Sequence, residues 1–152
     1  YRNSDLGLSF ICLEGARSKL GNCYRATFRL DGRSWASVQH YFHYRKAVMF
    51  GDHDTALAIR ATSCGAAAKR LGRRVARFDR RAWAQVCDRV MIRAVYQKFI
   101  SDSVCRDALL STGDSIIVEC GRFNKECANP RLWQGGNRLG KILVLVRERI
   151  RQ

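Results

Sequence analysis

The longest regular pattern in the chain is an apolar stripe whose positions recur at steps of three and four residues, the spacing of one helix face. The opposite face is polar and carries Arg81, Gln85, Asp88, Arg89 and Arg93. This pattern predicts an amphipathic helix over Arg80–Ile100. The stripe consists of Trp83, Val86, Cys87, Val90, Met91, Ala94, Val95 and Phe99.

Shorter helical patterns flank this helix, and most begin at a residue type that caps helix N-termini. Ser63 precedes one of them and Gly72 ends it, as expected for a glycine beyond a helix C-terminus. The last one turns Leu139, Ile142, Leu143, Val146 and Ile150 inward. The predicted helices are a segment starting within Ser34–Ser37 and running to about Met49, then Asp54–Ala61, Cys64–Leu71, a helix from Asp102 or Ser103 to Leu110, and Asn137–Ile150.

Three apolar runs have the length and composition of strands: Ser9–Leu13, Ala26–Leu30 and Ser115–Cys120. Asp31-Gly32 is a turn signal, and residues 121–136 are expected to form a loop. Helix therefore dominates, and the predicted fold class is α+β, with a small sheet. The 152 residues contain one proline and no evident linker, so we expect a single domain over residues 1–152, and no stretch approaches the ~20 apolar residues of a membrane-spanning helix.

Positive charge changes the functional picture. The chain has 28 Lys and Arg against 13 Asp and Glu, a formal net charge of +15, and 22 of the cations are arginine. Arginine pairs with phosphate in a bidentate way, so this balance favours polyanionic partners over the alternative of a generally arginine-rich soluble domain. The densest cluster is Lys69, Arg70, Arg73, Arg74, Arg77, Arg80, Arg81, Arg89 and Arg93.

The seven cysteines are odd in number and none has CxxC spacing, which argues against a zinc ribbon and a disulfide scaffold. We therefore expect free thiols in a reducing intracellular compartment. Residues 1–15 lack the pattern of a signal peptide, and the start at Tyr1 is taken as a processed or excised chain. His40 and His43 lie one helical turn apart, but no third ligand is evident, so no metal and no cofactor are predicted.

Several segments in the correct order carry a family resemblance. They include Phe10, Asn22, Asp31-Gly32-Arg33-Ser34-Trp35, Val38-Gln39-His40-Tyr41-Phe42, Gly72-Arg73, Lys98-Phe99, Val118-Glu119 and Gly136-Asn137-Arg138-Leu139-Gly140. Together they resemble the NADAR family, also called YbiA-like, from about residue 10 to residue 150. The resemblance implies a YbiA-like fold and a cleft for a ribosyl nucleotide. The implied ligand-pocket residues are Asn22, Gln39, His40, Tyr41, Gly135, Gly136, Asn137 and Arg138.

The family cleaves N-glycosidic bonds in ribosylamino pyrimidines or in ADP-ribosyl adducts of guanine, and this chain departs from it at acidic positions. Gln39 stands where the family has Glu, Asn124 where it has Asp, and Cys127-Ala128 where it has Trp-Gly. Glu119 is a family position interpreted as structural. Losing one acid–base group typically costs ~10²–10⁴ in rate, so the degenerate positions Gln39, Asn124 and Cys127 predict lost catalysis.

The resulting expectation is a catalytically inactive NADAR-like domain whose basic surface binds RNA as a structural component of a ribonucleoprotein. A mitochondrial or organellar ribosome fits the charge, with rRNA and neighbouring proteins as partners, no membrane, and a possible residual nucleotide-sugar ligand. Two alternatives remain open: an active hydrolase of ribosyl N-glycosides in which Glu126 substitutes for the missing acid, and a binder of ADP-ribose or NAD that does not cleave it.

Overall fold

The computed structural model describes residues 2–3, 8–14, 17–120 and 136–152. Six helices and five strands occur within these ranges. The strands are β1 (Arg2–Asn3), β2 (Leu8–Glu14), β3 (Phe28–Leu30), β4 (Arg33–Trp35) and β5 (Ile116–Cys120). The helices are α1 (Val38–Met49), α2 (His53–Ala61), α3 (Gly65–Gly72), α4 (Arg80–Ser101), α5 (Ser103–Leu110) and α6 (Arg138–Arg151).

Two small sheets accompany the helices. β1 pairs antiparallel with β2, and β2 pairs parallel with β5, so that Leu13 lies opposite Glu119. β3 and β4 form a separate antiparallel hairpin. The predicted helix-rich α+β class with a small sheet is confirmed.

The hairpin corrects one boundary of the sequence-based prediction. Asp31 and Gly32 both adopt positive φ, which matches a tight turn between strands whose twist is right-handed. The chain therefore continues as strand β4 through Ser34 instead of starting a helix there. Helix α1 begins only at Val38, where the Ser37 hydroxyl accepts a hydrogen bond from the His40 N–H.

Side chains cap the N-termini of four described helices; the sequence predicted starts within Ser34–Ser37 and at Asp102 or Ser103 but did not single out Asp52 or Asp79. Asp52, Asp79 and Asp102 each accept backbone N–H groups in the first turn of α2, α4 and α5. Asp102 also ends α4, so one aspartate separates two helices. This local chemistry satisfies backbone donors that would otherwise be unpaired.

The main core lies between α4, α6, α1 and the strands. The predicted stripe of α4 is buried at Trp83, Cys87, Val90, Ala94, Val95 and Phe99. It packs with Leu139, Ile142, Leu143 and Val146 of α6. A smaller cluster joins α1, α2 and α3 through Ala47, Ala56, Ile59, Ala68 and Val75.

Helix α6 approaches β5 at a glycine. A Cβ atom at Gly140 would lie 2.0 Å from the Ile117 carbonyl oxygen. Gly140→Ala should therefore lower the free energy of unfolding by about 1–3 kcal/mol, because backbone must move to admit the methyl group. Chemical denaturation measures this loss. Gly136→Ala is the matched control, since a Cβ there meets nothing within 4 Å, and equal effects of the two changes would contradict the prediction.

None of the helices in the described ranges is both long enough and apolar enough to span a membrane.

Candidate active site

A pocket of about 430 Å³ opens where the loop before Tyr24, the start of α1, helix α3 and the end of β5 meet. It unites residues that are far apart in sequence, among them Asn22, Gln39 and Glu119. Its lining consists of Leu13, Gly21, Asn22, Cys23, Gln39, Ala66, Lys69, Arg70, Arg73 and Glu119.

Asn22 is held in this pocket by its backbone and by one side of its amide. Its carbonyl oxygen accepts the Gln39 N–H at 3.1 Å, and its Nδ2 donates to Met91 Sδ at 3.2 Å. The Asn22 side chain is nearly buried, yet Oδ1 has no hydrogen-bond partner in the described part of the chain. A buried acceptor without a partner is costly unless a ligand supplies a donor.

Lys98 supports the same loop from the protein interior. It is 1% exposed, and its Nζ donates to the Gly21 carbonyl oxygen at 2.8 Å. The ring of Phe99 lies 4.8 Å from the ammonium group and that of Tyr24 5.7 Å. Burial lowers the pKa of Lys98 to about 8, only partly offset by Cys105, Asp102 and Cys23.

Lys98 gives a testable pH dependence of stability. Its pKa is about 8 in the folded chain and near 10.5 without burial, so between these values the unfolded chain binds the extra proton. Stability therefore rises with pH in this window, and the burial cost is fully present below pH 8. We expect the stability of the natural chain relative to Lys98→Met to increase from pH 8 to 10 and to be flat from pH 6 to 7. Denaturation curves of both chains at each pH measure the difference in their free energies of unfolding. A difference that stays constant from pH 6 to 10 would contradict the lowered pKa of Lys98.

Gln39 occupies the first turn of α1 and is 9% exposed. Its neighbour in the pocket is Cys23. Burial raises the pKa of the Cys23 thiol, while Lys69 and a hydrogen bond from Gln39 act in the opposite direction. Because an amide neither gains nor loses a proton at neutral pH, Gln39 can orient a ligand but cannot serve as an acid or base.

Glu119 is the carboxylate among the described residues that line the pocket. Its backbone N–H donates to Asn137 Oδ1 at 3.0 Å, and Asn137 Nδ2 donates to the Ile117 carbonyl oxygen at 2.9 Å. Asn137 thus clamps the edge of β5 on either side of Val118. Side-chain direction alternates along a strand, so this clamp fixes the direction in which Glu119 leaves the sheet.

The predicted ligand-pocket residues are not all brought together. His40 is buried elsewhere: its Nε2 donates to the Thr62 carbonyl oxygen at 2.7 Å and its Nδ1 accepts from the Ser37 hydroxyl at 2.7 Å. A carbonyl oxygen only accepts, so this tautomer follows from the partners. Desolvation, ahead of the opposing bond to Thr62, lowers the pKa of His40 and favours the neutral ring. Neither His40 nor Tyr41 lines the pocket.

Tyr41 belongs to an ion-pair cluster on the other side of α1. Its hydroxyl donates to Asp31 Oδ2 at 2.7 Å, and Asp31 also pairs with Arg45 and Arg93 at 2.9 Å each. The hydrogen bond from Tyr41, followed by Arg93, holds the pKa of Asp31 below its usual value. Asp31 borders a second cavity of about 480 Å³ beside Trp83, but its carboxylate is already neutralised there, so the Glu119 pocket is the better catalytic candidate.

The resemblance also placed residues 135–138 at the ligand, and the structure puts those that it describes in different surroundings. Asn137 contacts β5 as described, and Gly136 is exposed. Arg138 pairs with Asp88 of α4 at 3.1 Å and is absent from the pocket lining. Gly135, Asn124, Glu126 and Cys127 lie outside the described residues.

The nine predicted nucleic-acid-binding cations divide into three groups. Lys69, Arg70 and Arg73 line the pocket. Arg77 donates to the carbonyl oxygens of Phe50 and Gly51, and Arg93 pairs with Asp31. The others, exposed along the loop after α3 and the start of α4, are Arg74, Arg80, Arg81 and Arg89.

A metal centre has no support in the described ranges, which contain no group of three or more His, Cys, Asp or Glu placed to hold an ion. Burial lowers the pKa of His43 to about 3, and its ring packs against Gly72 instead of a shared site with His40.

The sequence-based prediction did not place Glu119 or Cys23 at the pocket, nor Lys98 behind its Gly21. The parallel pairing of β2 with β5 puts Glu119 beside Leu13 and so at the pocket. The available signal was the continuous apolar strand ending in one carboxylate, which is unusual for a purely structural position. Lys98 carried a weaker signal, a lysine next to the apolar stripe of α4.

Comparison with known proteins places this geometry in context. The family model of the NADAR domain matches residues 12–151. The N-glycosidase Npun_R5314 of Nostoc punctiforme is 38% identical over 119 residues, covering 77% of this chain and 75% of the relative. The N-glycosidase YbiA of Escherichia coli is 31% identical over 122 residues, covering 80% and 74%. The riboflavin biosynthesis protein VVA0006 of Vibrio vulnificus is 29% identical over 133 residues, 88% of this chain but 35% of the relative.

A solved structure agrees with these sequence matches. The NMR structure of E. coli YbiA superposes with a TM-score of 0.77 at 27% identity, over 94% of this chain and 85% of the other. The YbiA-like fold expected from the resemblance is therefore confirmed.

The prediction of a catalytically inactive, RNA-binding component of a ribonucleoprotein is wrong. The relatives are named N-glycosidases and a riboflavin biosynthesis protein, not ribosomal or RNA-binding proteins. In the structure, five of the nine cations line the pocket or form contacts within the chain. The family model over residues 12–151 and the fold of YbiA together establish that this chain belongs to the NADAR domain family.

Proposed function

We propose that this chain is an N-glycosidase that hydrolyses the bond between ribose and nitrogen in a phosphorylated ribosyl nucleotide. The observation that carries the proposal is the joint presence, in one pocket, of Glu119, three cations and Asn22, whose Oδ1 has no hydrogen-bond partner among the described residues. The names of the relatives support the same reaction class.

Glu119 is assigned the catalytic carboxylate. Cleavage of an N-glycosidic bond develops positive charge on the sugar, and a nearby carboxylate stabilises it. Water attacks the anomeric carbon as the carbon–nitrogen bond breaks. Glu119 takes the proton from that water and passes it to the leaving nitrogen, so that the products are a free sugar hydroxyl and an amine and the carboxylate is regenerated.

We assign Asn22 to binding the sugar. Its Oδ1 is an acceptor held in place, because Nδ2 is committed to Met91 and the backbone carbonyl to Gln39. Hydroxyl groups of ribose are donors of the right kind for this atom. The Lys98 bond to Gly21 fixes the preceding residue, and this rigidity favours a defined orientation of the ribose.

We assign phosphate binding to Lys69, Arg70 and Arg73. All three are exposed at the pocket and lie on or just after α3. Bonds between these cations and phosphate are charge-assisted and therefore about twice as strong as neutral ones. They bind substrate without taking part in the proton transfers.

Gln39 is assigned orientation only. The resemblance puts a glutamate at this position in the family, and the reduced rate expected from the amide remains a prediction. With Glu119 in the pocket, the chain keeps one carboxylate for the reaction, so the loss at Gln39 need not abolish catalysis.

The test is incubation of the purified chain with a ribosylaminopyrimidine 5′-phosphate and, separately, with ADP-ribosylated guanosine. Release of ribose 5-phosphate or ADP-ribose is followed by mass spectrometry. Turnover of one substrate above the spontaneous rate is expected. Absence of turnover of both, with the chain folded by circular dichroism, would overturn the proposed function.

A further inference from the structure

Two cysteines lie near each other beside the pocket, and the proposed hydrolysis uses neither. Cys23 lines the pocket directly after Asn22 and is half-buried. Cys64 is exposed and immediately precedes α3, the helix that carries Lys69 and Arg70. Both are free thiols.

Gly65 shows how close the two cysteines are. A Cβ atom at Gly65 would lie 2.9 Å from Cys23 Cα and 2.8 Å from the Cys23 carbonyl oxygen. Consecutive Cα atoms are about 3.8 Å apart, so the Cα atoms of Cys23 and Cys64 lie within roughly 8 Å of each other. This upper bound lies close to the separation of about 4.4–6.8 Å at which disulfides join Cα atoms.

The two thiols differ in character. The backbone N–H groups of Ala67 and Ala66, at the start of α3, hold the pKa of Cys64 below its usual value. Burial raises the pKa of Cys23. A thiolate reacts with oxidants and a thiol does so poorly, so Cys64 is the one that reacts first and Cys23 the one that waits beside it.

We propose that Cys64 is a site of oxidation by peroxides and that Cys23 resolves it, closing a reversible disulfide at the mouth of the pocket. The pair combines an accessible thiol at a helix N-terminus with a neighbour in backbone contact through Gly65. This arrangement matches redox-sensing cysteines, which are accessible and poised next to a resolving thiol.

The chemistry balances with one peroxide. The Cys64 thiolate attacks one peroxide oxygen, the O–O bond breaks, and the departing oxygen takes a proton and leaves as water or an alcohol. Cys64 is then a sulfenic acid. The Cys23 sulfur attacks the Cys64 sulfur, the S–O bond breaks, and the hydroxyl leaves as water with the Cys23 proton. Two thiols are oxidised by two electrons and the peroxide is reduced by two.

The disulfide alters the pocket through Cys23. Cys23 is drawn toward α3, which moves the adjacent Asn22 and removes the thiol from Gln39. A displacement of about 1 Å in a positioning group can cost about 10²-fold in rate. We therefore expect oxidation to lower hydrolysis at least tenfold, a part of the inference that rests on the proposed function.

The experiment treats the full chain with hydrogen peroxide at neutral pH and maps its cysteines by mass spectrometry. A cross-linked Cys23–Cys64 peptide, 2 Da lighter than the two thiol peptides, is expected and should disappear with a dithiol reductant. Before oxidation, Cys64 should be alkylated by iodoacetamide faster than Cys12, Cys23, Cys87 and Cys105. In Cys23→Ser, Cys64 should stop at the sulfenic acid, which a dimedone probe captures.

Matched controls separate this inference from the proposed function. Cys12→Ser should keep the disulfide and Cys64→Ser should lack it. Three results would each overturn the inference. They are a disulfide of Cys64 with a cysteine other than Cys23, slower alkylation of Cys64 than of Cys87, and a Cys23–Cys64 disulfide that leaves activity unchanged. A reduced chain without activity contradicts the proposed function instead, and the peptide map still tests the pair.

Discussion

Glu119→Gln is expected to lower kcat by about 10²–10⁴-fold with a much smaller change in KM. Glu119 is the carboxylate among the described residues lining the pocket, and the amide keeps its shape while losing its charge and its ability to take a proton. An interaction made mainly in the transition state appears in kcat, whereas uniform binding appears in KM. Steady-state hydrolysis of whichever of the two candidate substrates is turned over measures both.

The control for this change is Asp107→Asn, which makes the same chemical replacement at an exposed residue of α5 that does not line the pocket. It should leave kcat within about twofold of the natural chain. Equal activity of the Glu119→Gln chain and the control would show that Glu119 is not the catalytic carboxylate.

Replacing Lys69, Arg70 and Arg73 together by glutamine is expected to raise KM by about 10²-fold or more. Charge-assisted hydrogen bonds contribute about 1.5–3 kcal/mol each, so losing even one or two of them accounts for this factor. The change in kcat should be small, because these side chains bind substrate phosphate and not the reacting atoms. The KM of the natural chain should rise with salt, and that of the triple variant should rise less.

The matched control replaces Arg80, Arg81 and Arg89 by glutamine. These residues are exposed on α4 and do not line the pocket, and replacing them removes the same net charge. A similar rise in KM in both triple variants would mean that overall charge attracts the substrate and that no phosphate site exists at α3.

Local sequence patterns were sufficient for most helices because the signals act within a few residues. The apolar stripe of α4 and its Asp79 and Asp102 caps specify one helix without reference to the rest of the chain. The hairpin of β3 and β4 was missed because serine and arginine in β4 have no strand preference. Residues 33–35 form a strand because β4 pairs with β3 across a turn in which Asp31 and Gly32 adopt positive φ.

The candidate site was predictable only in part. The sequence alone determined that Asn22 and Gln39 belong to a pocket, through the family resemblance, and that the chain carries a surplus of cations. It could not determine which cations serve that pocket, because Lys69 and Arg93 look alike in a charge pattern. Only the fold pairs Arg93 with Asp31 and leaves Lys69 at the cavity.

Tertiary structure also changed which of three residues lie at the pocket. His40 and Tyr41 lie in the segment with the strongest resemblance, yet both side chains turn into hydrogen bonds away from the pocket. Glu119, which looked structural, reaches the pocket because β5 pairs with β2, more than 100 residues away in sequence. Sequence thus determined the helices and the family, where the forces are local or the residues themselves carry the signal. The fold decided which carboxylate lies at the pocket, because only the long-range pairing of β5 with β2 places Glu119 beside the cavity.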